Sequence, residues 1–278
     1  MKKGMSLLAM AALLGLAACG DDDKDKGGDS GKAQTLSVSV DAQGKLQGVK
    51  PLKGGLVTVN FRNASKNPTD LQLIRVDGNR PIAQVLKVVN SDGPTPIPSW
   101  LHGAGGVGGT KPGQTSTATQ VLPPGTYYVV ASPETDGPSK PATAALKVEG
   151  GESTGELPST PATVTASEYK FQATGLKAGK NQIRFTNGGK ELHHVIAFQL
   201  APGKTAADLK RFFTTEKGQP PIVEGSETGT AVIDGGTEQV TDLTLAKPGN
   251  WALVCFISDR KGGPPHAAKG MITPVTVQ

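Results

Sequence analysis

The chain has few of the residues that build disulfide-stabilised, membrane-spanning or nucleic-acid-binding proteins. It has only two cysteines in 278 residues, so no disulfide framework can hold it together. Aromatic residues make up 4% of the sequence, and no stretch after residue 18 is apolar enough to cross a bilayer. Its 29 basic and 24 acidic residues are scattered along the chain, so we expect no nucleic-acid partner.

Glycine and proline are abundant, with 37 and 21 residues. This composition favours many short strands joined by turns and argues against long helices. The sequence therefore predicts an all-β fold class.

The first nineteen residues have the layout of an exported lipoprotein precursor. Lys2 and Lys3 precede a short apolar stretch, and small residues lead directly to Cys19. The run Leu-Ala-Ala-Cys resembles a bacterial lipobox, which implies lipidation (palmitate) of Cys19 after removal of a signal peptide at 1–18. Such a protein is extracytoplasmic and lipid-anchored to the cell membrane. An ordinary signal peptide cleaved nearby is the alternative.

Beyond the anchor, the chain repeats itself at a constant offset of 124 positions. The aligned blocks are 52–63 with 176–187, 70–76 with 194–200, 83–96 with 207–220 and 122–131 with 246–255. Two copies of one fold follow from this register. The predicted organisation is a disordered tether at 19–33, a domain at 34–149, a linker at 150–161 and a domain at 162–278.

Each copy is predicted to be an antiparallel β-sandwich with one short helix in a connection. Val57, Val59 and Phe61 alternate with polar residues, as strand residues do. Residues 82–89 and 205–213 are the helical segments, the second with Leu209, Phe212 and Phe213 facing inward.

Possible metal donors are concentrated in the second copy. His193 and His194 lie near its start, and Cys255, His266 and Met271 lie near its end. Imidazole, thiolate and thioether together suit copper, while zinc would take the histidines and the cysteine without Met271. A buried inert thiol and a core methionine are the alternative interpretations of Cys255 and Met271.

In this region the sequence resembles the cupredoxin family. The turn Asn187-Gly188-Gly189 leads to His193, Cys255 ends the strand Trp251–Val254, and Met271 opens a closing strand. The resemblance implies two tandem cupredoxin-like Greek-key β-sandwich domains, the first one degenerate. It also implies copper held by His193, Cys255 and His266, with Met271 as a weak fourth ligand and His194 as the alternate to His193.

One feature departs from the family pattern. Ten residues separate Cys255 from His266, more than in the mononuclear copper loops of the family. We interpret Ser258–Pro265 as an inserted turn, which could fold outward and leave the ligands in place or could alter the site. The Lys and Arg residues near this loop are expected to face solvent.

One further pattern and one further histidine are given no functional role. The glycine pattern at 103–108 matches a dinucleotide-binding fingerprint, but we expect it in a loop without the strand-to-helix unit that such a site needs. His102 is expected to be an isolated loop histidine without a role.

The first copy serves as an internal control. Thr69, Asp70 and Ala131 occupy the positions of His193, His194 and Cys255, so the first copy cannot hold the same metal. We therefore expect a membrane-anchored copper protein for electron transfer or copper holding, not an enzyme, with a redox or envelope protein as partner. A metal-free binding or interaction module of the cell envelope with a buried cysteine is the alternative.

Overall fold

The computed structural model describes residues 33–91, 95–135, 140–151 and 154–278. The predicted signal peptide, Cys19 and all but the last residue of the predicted tether lie outside these ranges. Strands dominate the described residues, which include two short helices, so the predicted all-β fold class is confirmed. None of the helices in these ranges is long and apolar enough to cross a membrane.

The two halves of the chain contain the same order of elements, which confirms the internal repeat. Among the described residues, each half has eight strands, with a helix between the fourth and the fifth strand. The first half contains β1 (Gln34–Val40), β2 (Leu46–Gln47), β3 (Leu52–Asn63), β4 (Thr69–Val76), α1 (Ile82–Val89), β5 (Leu101–Thr110), β6 (Thr115–Leu122), β7 (Gly125–Pro133) and β8 (Ala142–Gly151). The second half contains β9 (Ala162–Ser167), β10 (Lys170–Thr174), β11 (Gly179–Asn187), β12 (Ile196–Gln199), α2 (Ala206–Thr215), β13 (Thr228–Gly229), β14 (Glu238–Leu245), β15 (Gly249–Val254) and β16 (Ile272–Val277).

Both helices lie where the sequence predicted them. Helix α2 begins with a capping box, in which the Thr205 side chain accepts the N–H of Asp208 and the Asp208 carboxylate accepts the N–H of Thr205. Within this helix Leu209 is fully buried, while Phe212 and Phe213, closer to its C-terminal end, are half-buried. The single buried face explains why the periodicity of the sequence was sufficient to locate this helix.

Each half is a two-layer sandwich with its own apolar core. In the second half, the layer formed by β10, β9, β11 and β14 packs on the layer formed by β13, β12, β15 and β16. Phe185 and Trp251 fill the space between these layers. Cys255 and Met271 belong to this core as well, so the candidate donors lie inside the sandwich.

The strand pairing differs from the fully antiparallel arrangement that was expected. β1 pairs parallel with β3, and β9 pairs parallel with β11, so both sandwiches are mixed. The two halves also share a sheet, because β14 pairs antiparallel with β6 across the repeat. The described residues form one compact unit, and the predicted domain limits on either side of 150–161 stay a prediction.

The glycine-rich segment at 103–108 is a strand, not the loop that was expected. It forms most of β5, which lies where the two halves meet. A side chain at Gly108 would collide with the carbonyl oxygen of Gly229 in the other half, and one at Gly106 would collide with that of Leu71. Glycine therefore serves close packing of backbones here, which is unrelated to nucleotide binding.

His102 is also on β5 and is not isolated. Its Nδ1 lies 2.6 Å from Oδ2 of Asp234, and its Nε2 lies 2.8 Å from Oδ2 of Asp77. This histidine therefore links the first half to the second through Asp234.

Candidate metal centre

The turn after β11 places His193 in the second sandwich. The Asn187 side chain donates to the carbonyl oxygens of Glu191 and Ile233 and accepts the N–H of Gly189. His193 then exchanges two backbone hydrogen bonds with Ile233, at 3.1 and 2.9 Å. The backbone of His193 is thus fixed on both sides.

The same turn occurs in the first half. The Asn63 side chain donates to the carbonyl oxygens of Asn67 and Thr110 and accepts the N–H of Ser65. Asn187 was predicted only as part of a turn, although the matching Asn63 in the first copy already indicated a structural role for this asparagine. The repeat therefore keeps the scaffold of the histidine position in both halves and the histidine only in the second.

Backbone hydrogen bonds bring Cys255 and His266 together despite the ten residues between them. The N–H of His266 donates to the carbonyl oxygen of Ile257 at 2.9 Å, and the N–H of Ala267 donates to that of Cys255 at 2.8 Å. The insertion Ser258–Pro265 therefore loops out beyond these two hydrogen bonds, and Cys255 and His266 remain neighbours. Of the two alternatives for this loop, the structure shows the one that leaves the donors in place.

Three donor atoms converge in the core of the second half. Sγ of Cys255 lies 3.6 Å from Nδ1 of His193 and 3.5 Å from Nδ1 of His266, and the two nitrogens are 3.1 Å apart. All three residues are 0% exposed. Within the described parts of the chain, this trio is the only cluster of three or more His, Cys, Asp or Glu donors close enough to share an ion.

The size of this triangle fits a metal ion. The point equidistant from the three atoms lies about 2.0 Å from each, close to the lengths of metal–nitrogen and metal–sulfur bonds. A water molecule needs about 2.7 to 3.2 Å from its partners, so the same point cannot hold one. Two imidazoles and one thiolate near one plane are the donor set of a blue-copper site.

Burial sets the charge of the donors. It lowers the pKa of His193 to about 4, with a smaller contribution from the nearby His266 ring, and it also lowers the pKa of His266. Both rings are therefore neutral at neutral pH and offer lone pairs. Burial raises the pKa of the Cys255 thiol to about 12, so a thiolate at this position requires a cation beside it.

His194 lies outside the trio. Its Nε2 accepts a hydrogen bond from the N–H of Phe256 at 3.0 Å, and its ring packs edge-on against the ring of that residue. The strand direction that turns His193 inward turns His194 the other way. Of the two neighbouring histidines, the structure places His193 beside the cysteine, while His194 fixes the backbone that follows the cysteine.

Met271 is fully buried in the same core as Cys255. Its N–H donates to the carbonyl oxygen of His266, and its own carbonyl oxygen accepts the N–H of Cys255. Its backbone therefore closes the loop that carries both other donors. A role for its thioether as fourth ligand stays a prediction.

Charged residues near the loop do not simply face solvent, contrary to expectation. Arg260 is half-buried and forms an ion pair with Asp234, and Lys269 forms one with Asp259. Asp259 in turn contacts His266. Asp259 was not predicted from the sequence, because its contact with His266 depends on how the insertion folds back over the core.

The first half holds no equivalent cluster among its described residues. Thr69, at the position of His193, is buried and donates to the carbonyl oxygen of Asn67. Ala131, at the position of Cys255, is part of the first apolar core. The interior at these positions is filled by small side chains without metal donors.

No family model and no curated protein matches the chain. Among solved structures, it is similar to reduced auracyanin from the photosynthetic bacterium Roseiflexus castenholzii, at 18% identity and a TM-score of 0.26, over 42% of this chain and 94% of that chain. Auracyanin B matches at 22% identity and a TM-score of 0.28, over 42% and 86% of the two chains. A blue copper oxidase from Nitrosomonas europaea matches at 13% identity and a TM-score of 0.25, over 88% and 86%.

The likeness to cupredoxins lies in the sandwich itself and in the order of its three converging donors. The sandwich supplies a histidine before β12, a cysteine after β15 and a second histidine before the closing strand β16. The resemblance predicted from the sequence is confirmed: the second half is a cupredoxin-like β-sandwich whose His–Cys–His cluster fits a blue-copper-type site.

Proposed function

We propose that the chain is a copper protein that carries single electrons outside the cytoplasm. The observation that supports this is the convergence of Nδ1 of His193, Sγ of Cys255 and Nδ1 of His266 in a fully buried triangle. Bound copper would supply one-electron redox chemistry at this position. The side chains hold the donor atoms in place and keep water out.

Burial favours electron transfer over copper delivery and over catalysis. The three donors have no exposed surface, so neither a substrate nor an accepting protein can touch them without opening the fold. An electron needs no such contact. Strands β12 and β15, whose backbones are hydrogen bonded to each other, fix two sides of the centre and limit its rearrangement between oxidation states.

The cellular setting is part of the proposal. We place the protein at the outer face of the cell membrane, held by lipid on Cys19, with the charged segment of residues 20–32 as a spacer. Its partner is then a redox protein of the envelope that docks on the second half. Lipidation is tested by mass spectrometry of the mature protein, which should show acyl chains on an N-terminal Cys19.

Copper titration of the metal-free full-length chain tests the central claim. One equivalent of Cu(II) should produce strong visible absorption, because a thiolate bound to Cu(II) gives intense charge transfer. Cys255→Ser should abolish this absorption while keeping nearly the same volume. His102→Gln is the matched control, since it removes a histidine outside the trio and should leave the absorption unchanged.

Other outcomes would contradict copper-based electron transfer. Tight zinc retention and a colourless copper complex would favour a zinc site with the same three donors. Failure to bind any metal stoichiometrically would favour a metal-free envelope module with a buried thiol.

A further inference from the structure

The insertion Ser258–Pro265 carries a carboxylate to the rear of one donor histidine. Oδ1 of Asp259 lies 3.1 Å from Nε2 of His266, on the side of the ring that faces away from Cys255. A carboxylate can only accept hydrogen bonds, so this nitrogen carries the proton of the neutral ring. Nδ1 of His266 is then left unprotonated, and this is the nitrogen that faces Cys255 and His193.

Asp259 is itself held from two other sides. The Tyr169 hydroxyl donates to its Oδ1 at 2.9 Å, and the Lys269 ammonium forms an ion pair with its Oδ2. Lys269 also lies over the Tyr169 ring, 4.6 Å from its centre, and that ring packs against His266 at 5.0 Å. These contacts limit the carboxylate to one orientation.

The first half braces the same insertion through the next residue. The Arg260 guanidinium donates to the carbonyl oxygens of Pro98 and Leu101, each at 3.1 Å, and its own carbonyl oxygen accepts the N–H of Ile97. The Arg260 N–H donates to the Glu191 side chain at 2.6 Å, two residues from His193. The loop between the cysteine and the histidine is thus anchored on the half that lacks donors.

We propose that Asp259 is a positioning residue that sets the tautomer and orientation of His266 for metal binding, and that the first half keeps it in place through Arg260. The metal part rests on the proposed function, whereas the tautomer exists without metal. The insertion is then part of the metal site, and the role of the first half is to hold the insertion in place. Such partners of ligating histidines typically affect metal affinity by about 10- to 100-fold.

The test begins with the metal-free full-length protein. Nitrogen NMR of the His266 ring should show the Nε2–H tautomer. Asp259→Ala should lower the ratio of Nε2–H to Nδ1–H by about tenfold or more, because a hydrogen bond to a charged acceptor is lost. Asp259→Asn, which keeps the shape and an acceptor oxygen, should restore most of the ratio. Lys261→Gln, an exposed change in the same insertion, should leave the spectrum unaltered.

Copper binding gives the second readout. Asp259→Ala should weaken copper affinity by about 10- to 100-fold, and Asp259→Asn should raise the reduction potential because a negative charge near the metal is lost. Arg260→Gln should lower the tautomer ratio and weaken copper affinity as Asp259→Ala does, but by a smaller amount. Melting temperatures of all variants separate a general loss of folding from these local effects.

Two results are decisive. An unchanged tautomer ratio in Asp259→Ala, in a protein that is folded by its melting temperature, overturns the inference. A changed ratio in a protein that binds no copper supports the positioning role of Asp259 and overturns only the proposed function.

Discussion

Each donor in the trio is fixed through its backbone by residues outside the trio. Ile233 pairs with His193, and Ile257 accepts the N–H of His266. The backbone of Met271 is hydrogen bonded to both Cys255 and His266. The side chains therefore need little rearrangement to meet a metal, which is what a preorganised centre requires.

The sequence identified the three donors because the first half lacks them at matching positions. It favoured His193 over His194 without showing which of the two faces Cys255, since neighbouring residues on a strand point in opposite directions. Asp259 could not be found at all, because eight residues of insertion leave the path of the loop open. Contacts made by loops are set by tertiary packing, and no periodic pattern records them.

Removing His194 separates a supporting histidine from a ligand. His194→Leu leaves the N–H of Phe256 without its acceptor, so the free energy of unfolding of the metal-free protein should fall by about 1–3 kcal/mol. Urea unfolding measures this loss. Copper stoichiometry should remain at one per chain, and loss of copper binding in a variant that is still folded would contradict a purely supporting role for His194.

At the scale of elements, strand β5 shows why the halves can approach so closely. Its glycines contact backbone of the other half and of β4, where any side chain would collide. Helices were predictable from periodicity because a single face is buried. A strand of glycines has no side chains to alternate, and the backbone of the other half that it packs against lies more than 120 positions away in sequence. The local pattern therefore misassigned it as a loop, although it pairs with β4.

Adding one methyl group to β5 tests this packing. Gly108→Ala should destabilise the protein by about 1–3 kcal/mol, because its Cβ would overlap the carbonyl of Gly229. Gly125→Ala is the control, since a Cβ there has ordinary contacts at 3.7 Å and should change stability by less than about 0.5 kcal/mol. Equal effects of the two substitutions in urea unfolding would argue against close packing at Gly108.

At the scale of the whole molecule, the region between the halves contains carboxyl groups whose charged form is destabilised by burial. Burial, together with the negative charges of Glu134 and Glu227, raises the pKa of Asp70 from 3.8 to about 7. The folded protein therefore binds more protons than the unfolded chain between about pH 4 and pH 7. Stability should fall as the pH rises through this range and stay lower above it.

Asp70→Asn removes this dependence. The variant should be more stable than the parent by about 1–4 kcal/mol at pH 8, and the difference should shrink towards zero at pH 4. Glu149→Gln is the control, because Glu149 is exposed and its ion pair with Lys147 lies on the surface. Urea unfolding at both pH values provides the comparison; a gain that is the same at pH 4 and pH 8 would contradict the raised pKa.

The complete burial of the trio also determines how a metal would leave. A chelator in solution cannot displace the donors one at a time, because it reaches none of them while the sandwich is closed. Release must wait for the structure to open, and small domains open on timescales from less than about a second to days. The lifetime of the bound ion would then report the opening rate of the fold rather than the strength of its bonds.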